Sequence, residues 1–217
     1  MPIRAADILA LTALMALAAC DRSSPTDSAL ETVQGPEGIE ATAGSELAED
    51  CLLVIWEARE QSGDFGGDAE RQYDRAHDSA DGGAISCATG SSASQFDKTL
   101  RALRDSAGNS DRAALLAEAG IPLLFIDGEG KVQELESAEA LEAAFDQIFT
   151  EVTLEKLRGL ALEDMTVVPN KGGFFDLGSL WLVVPEVGAR PQLVTVNDQA
   201  AAEAAALAIA EQVNGDD

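Results

Sequence analysis

TVVPNKGGFFDLGSLWLVV (166–184), with QLVTVN (192–197) beyond it, sets the architecture of this chain. Its apolar residues are β-branched or aromatic and come in short runs, at 165–170, 173–175, 179–185 and 192–197, separated by Gly, Pro and Asn. Such runs between turn residues predict strands. Links this short cannot make parallel crossovers, so the expected sheet is antiparallel. Upstream the period changes to that of helices. Ser94-Gln95-Phe96-Asp97 has capping-box spacing, and Phe96, Leu100, Leu103 and Ala107 then form one stripe that Gly108 ends. A shorter helix starts near Ser110-Asp111, places Leu115 and Leu116 inside and stops at Gly120. Ile121–Ile126 and Lys131–Leu135 predict a hairpin about the Asp127–Gly130 turn. Ser137 caps a helix that buries Leu141, Ala144, Phe145, Ile148 and Phe149, and a second helical piece covers 151–158. An Ala-rich helix capped by Asp198 runs to Val213. Residues 94–213 therefore read as an α+β domain, helices packed on an antiparallel sheet.

The N-terminus has a different logic. MPIRAADILALTALMALAAC puts Arg4 before an apolar run, Ile8 to Ala19, too short to span a bilayer but suited to a secretory signal. Leu17-Ala18-Ala19-Cys20 resembles a bacterial lipobox, which implies removal of 1–19 and a lipid on Cys20. The expected address is the periplasmic side of the envelope, with the bilayer as first partner. Residues 20–48 are rich in Ser, Thr, Gly, Pro and Glu with isolated apolar positions, the composition of a mobile tether. As a coil, that tether reaches roughly 30 Å.

With Cys20 lipidated, Cys51 and Cys87 remain, and an oxidising compartment favours their pairing across the 49–93 segment. Within that segment CLLVIWEAR (51–59) fits a buried strand, yet Leu47, Cys51, Ile55 and Ala58 also share a helical face. Residues 61–83 look like a long polar loop with one helical turn. It carries the chain's only His, His77, and only Tyr, Tyr73, among Asp74, Asp78 and Asp81. One His without calcium-loop spacing predicts a solvated acidic loop rather than a metal site, and no cofactor is expected.

The stretches 96–125, 140–160, 166–184 and 192–197 are similar to small bacterial secreted domains of the nuclear transport factor 2-like (cystatin-like, SnoaL-like) superfamily. Phe145-Asp146-Gln147-Ile148-Phe149, Gly173, Gly178, Trp181, Val196 and Asn197 carry the likeness, which covers 94–197. It implies a cone-like α+β fold, and a homodimer through the sheet as one partner. The superfamily hosts isomerases, dehydratases, cyclases and binding modules on one architecture, so the fold does not choose among them. Its ketosteroid isomerases use an Asp base with Tyr and protonated Asp donors. Residues 94–197 hold no Tyr and no His, which leaves Asp176 as the candidate cavity carboxylate. Trp181 is a candidate ligand-stacking ring, against the alternative of core packing on Phe96 and Leu100.

Fourteen Lys and Arg stand against 39 Asp and Glu, a net charge of −25, which argues against nucleic acid as a partner. The expected function is a membrane-anchored binding or accessory module without catalysis. An enzyme of the isomerase, dehydratase or cyclase kind is the alternative. A further one is an inhibitor of a basic envelope enzyme, since acidic surfaces steer towards basic targets.

Overall fold

The computed structural model describes the backbone of residues 37–214 and the side chains of 46–207. Cys20, the 1–19 signal and the first part of the 20–48 tether lie outside the described residues. Helix α1 (Glu37–Ser62) begins inside the stretch expected as tether and continues through CLLVIWEAR, which is therefore helical. Its buried stripe is Leu52, Ile55, Trp56 and Arg59, whereas Leu47 is 60% exposed. The stripe is rotated from the expected face because Trp56 and Arg59 dock into polar partners. The expected 61–83 loop holds α2 (Asp68–His77) and most of a hairpin of β1 (Ser79–Ala80) and β2 (Gly83–Ala84), after which α3 (Ile85–Thr89) follows. A polar helix gives little apolar periodicity; what fixes this one is a buried carboxylate. Asp74 accepts the Trp56 indole N–H and the Ser94 backbone N–H, both at 2.8 Å. Arg59, 1% exposed, donates to the Asp64 carbonyl at 2.7 Å and pairs with Glu70 at 2.8 Å; Lys98 joins Glu70 at 2.5 Å.

Helix α4 (Ala93–Asn109) buries Phe96, Leu100, Leu103 and Ala107 completely. Ser92 holds the N-cap position, so Ser94 is not the cap; its N–H is committed to Asp74. Next come α5 (Arg112–Glu118), β3 (Ala119–Ile126), β4 (Val132–Leu135), α6 (Ala138–Ala143), α7 (Phe145–Ile148) and α8 (Glu151–Arg158). Ser137 caps α6 through the Ala140 N–H at 3.2 Å. Phe145 and Phe149 pack in the core with ring centroids 4.8 Å apart. The last elements are β5 (Thr166–Val168), β6 (Gly172–Phe175), β7 (Leu180–Val183), β8 (Gln192–Asn197) and α9 (Asp198–Asn214). Asn197 Oδ1, not Asp198, takes the Ala200 N–H at the start of α9, at 3.0 Å.

The six-stranded sheet has the order β4-β3-β8-β7-β6-β5. All neighbours are antiparallel except β3 and β8, so the sheet is mixed rather than antiparallel. The short-link argument holds for neighbours in sequence. It does not reach β3 and β8, which three α-helices and four strands separate, more than enough chain for a parallel crossover. One face carries the core: Val167, Gly173, Leu182 and Leu193 form one buried cross-strand row, and Phe175, Leu180, Val196 and Phe125 another. Leu193 and Val196 both point inward because the β7–β8 register shifts between them, a bulge of the kind that bends a sheet. The β5 edge is closed by the N-terminal segment, where the Val167 N–H donates to the Asp81 carbonyl at 2.7 Å. Cys51 and Cys87 lie at disulfide-bonding distance, with Cα atoms 5.3 Å apart. Among the described residues, no helix is long and apolar enough to cross a membrane.

Candidate functional site

Strand alternation puts Leu180 and Leu182 inside and turns Trp181 to the opposite face. The expected packing of Trp181 on Phe96 and Leu100 is thereby corrected: those helix residues meet the other side of the sheet. Trp181 stacks instead on Phe174, its cross-strand neighbour, with centroids 4.9 Å apart and planes at 30°. The registers extend this pair into a row across the whole sheet, Glu134, Leu124, Thr195, Trp181, Phe174 and Thr166. Glu134 is exposed, and the other five members are half-buried. The Trp181 indole N–H has no protein acceptor among the described residues, unlike that of Trp56, which Asp74 holds. The aromatic pair is flanked by Leu124, Thr195 and Thr166, and the one charge in the row, Glu134, lies at its β4 end.

Asp176 sits elsewhere, at the end of β6. Asp176 (φ 44°), Leu177 (φ 56°) and Gly178 (φ 90°) are three successive left-handed residues. For the two non-glycines that conformation costs about 1–3 kcal/mol each. The turn is held by the Ser179 N–H on the Phe175 carbonyl, at 3.0 Å, and directs Asp176 at Lys156, 2.8 Å from its carboxylate. The pair borders a cleft of about 410 Å³ lined also by Leu160, Asp164 and Phe175. The Asp176 side chain is 48% exposed. It lacks the apolar enclosure expected of a cavity acid or base.

A third place unites residues that the sequence left in a loop. Tyr73 and His77, one turn apart on α2, stack with ring centroids 4.1 Å apart and planes at 18°, and His77 Nδ1 lies 2.9 Å from the Tyr73 carbonyl. They form one wall of a cleft of about 440 Å³ completed by Asp97 and Arg104 of α4 and by Ala161–Glu163. Burial first, and then the adjacent Asp97 carboxylate, push the Tyr73 phenol above its usual range. The i, i+4 spacing of the two rings was the available signal, but nothing apolar beside it announced a helix. Among the described residues no three His, Cys, Asp or Glu side chains converge as metal ligands.

No family model matches the chain, and no curated protein or solved structure is significantly similar to it.

Proposed function

We propose that this chain is an envelope lipoprotein, anchored through Cys20, whose α+β body is a non-catalytic binding module using the open face of its sheet. The observation that carries the proposal is the Phe174–Trp181 pair, at the centre of a half-buried cross-strand row on the sheet face opposite the core. An enzyme of the same architecture would need Asp176 enclosed among apolar walls, whereas Asp176 is half in water on Lys156. The partner is a protein surface, a second copy included, because a wide, shallow aromatic row suits another surface better than a small molecule.

The order of helix pair, hairpin, middle helices and closing strands supports kinship with the nuclear transport factor 2-like superfamily, and the bulge in β8 supports its cone-like curvature. The proximity of Cys51 and Cys87 supports a disulfide between them in the exported protein. Envelope fractionation followed by native electrophoresis of the detergent-solubilised chain tests the proposal. The wild type should remain with membranes and migrate in an assembly larger than a monomer; Cys20→Ala should be soluble, and Phe174→Ser/Trp181→Ser should be membrane-bound but monomeric. Identical migration of wild type and double variant would remove the sheet face from the account.

A further inference from the structure

The cleft between α2, α4 and the 162–164 turn carries a second recognition chemistry, independent of the sheet face. One wall is flat and aromatic, the stacked rings of Tyr73 and His77. Arg104 enters it from α4. One guanidinium nitrogen is fixed on the Leu160 carbonyl, while the other stands 3.9 Å from Asp97, too far for a hydrogen bond. Asp97 is held by Arg101 and forms only a looser ion pair with Arg104 at 3.9 Å, so the remaining Arg104 donors face the cleft. Glu163 adds a second carboxylate, exposed and without an ion pair or hydrogen-bond partner among the described residues.

This set of groups narrows the ligand. A simple anion would meet two carboxylates on a chain of net charge −25, and a simple cation would meet Arg104. An apolar ligand would strand the charged groups without water, a costly arrangement. A small molecule bearing both signs satisfies every wall. Its carboxylate takes the unused Arg104 donors, its ammonium takes Glu163, and its body lies against the ring faces, where a cationic group also gains from the π-electrons. We propose that this cleft binds a small zwitterion, a free α-amino acid.

The chain supplies its own reporters, since Tyr73 is its only tyrosine and His77 its only histidine. With the full chain in detergent and 3-fluorotyrosine at position 73, the fluorine resonance and the His77 ring-proton resonance are followed during separate titrations with alanine, phenylalanine and lysine. The expected result is a saturable shift of both resonances with at least one of the three. Acetate and methylammonium, each carrying half of the charge pattern, should not saturate either resonance. Arg104→Gln and Glu163→Gln should each weaken binding by about tenfold or more. Arg104 also anchors the Leu160 carbonyl and its loss can disturb the fold. Glu163 has no such role, so Glu163→Gln decides the matter by itself. Three non-saturating titrations, saturation by acetate as strong as by the amino acid, or unchanged binding in Glu163→Gln would each overturn the proposal.

Discussion

Asp78, 9% exposed, accepts hydrogen bonds from the backbone N–H and the hydroxyl of Ser86, the residue beside Cys87. Burial first, opposed by the two Ser86 bonds and aided by the Asp74 and Glu49 carboxylates, raises its pKa to about 6. A carboxyl that holds its proton more tightly folded than unfolded favours the fold most at low pH. That contribution fades as pH rises from about 4 to about 6 and is constant above. Glu49 and Glu70 are lowered instead, so their contributions run the other way and fade on acidification. The difference between wild type and Asp78→Asn isolates the first effect. Urea midpoints at pH 4, 5, 6 and 7 should show the variant gaining on the wild type up to about pH 6 and then running parallel. A difference that is flat across the series would mean that Asp78 is not buried as described.

At the scale of elements, β7 separates the two faces of the sheet within consecutive residues. Leu182 is 1% exposed in the core, and Leu182→Ala should cost about 2–5 kcal/mol by cavity formation. Trp181→Ala empties a surface that water already reaches and should cost less than half as much, measured by urea unfolding of both variants. A larger loss at Trp181 than at Leu182 would make the row a hidden core. The β3–β4 hairpin, the closing strands β5 to β8, α4, α5 and the Ser137 cap were legible because period, turn residues and capping spacing act within a few neighbours. The parallel contact of β3 with β8 was not, since the pairing joins residues some seventy positions apart, such as Phe125 and Val196, and leaves no local mark. Helix α2 was also illegible. Its register depends on Asp74 finding the Trp56 indole, and a buried Asp looks the same in sequence as a solvated one. For the same reason the Trp181 ring could be seen as important but not assigned to a face, and the Tyr73–His77 cleft could not be assembled.

For the whole molecule, the N-terminal helices are tied to the body by the Arg59–Glu70–Lys98 cluster, by Asp74 and by the neighbouring cysteines. Cys51 and Cys87 are 36 residues apart, so a bond between them should contribute about 3–4 kcal/mol through loop-closure entropy. Cys51→Ser/Cys87→Ser should lower the urea midpoint of the oxidised protein accordingly and match the wild type measured under reducing conditions. Equal midpoints for oxidised wild type and double variant would exclude the bond. Most of the chain's charge of −25 lies on this body, yet the centre of the open sheet face carries none of it. The most direct measurement places a photo-crosslinking amino acid at Thr195, beside Trp181 in the row, and irradiates intact cells producing the anchored chain. The account expects a discrete adduct, with a second copy or with one envelope protein, which the same probe at exposed Glu186 does not give. No adduct at Thr195, or the same adduct from both positions, would contradict it.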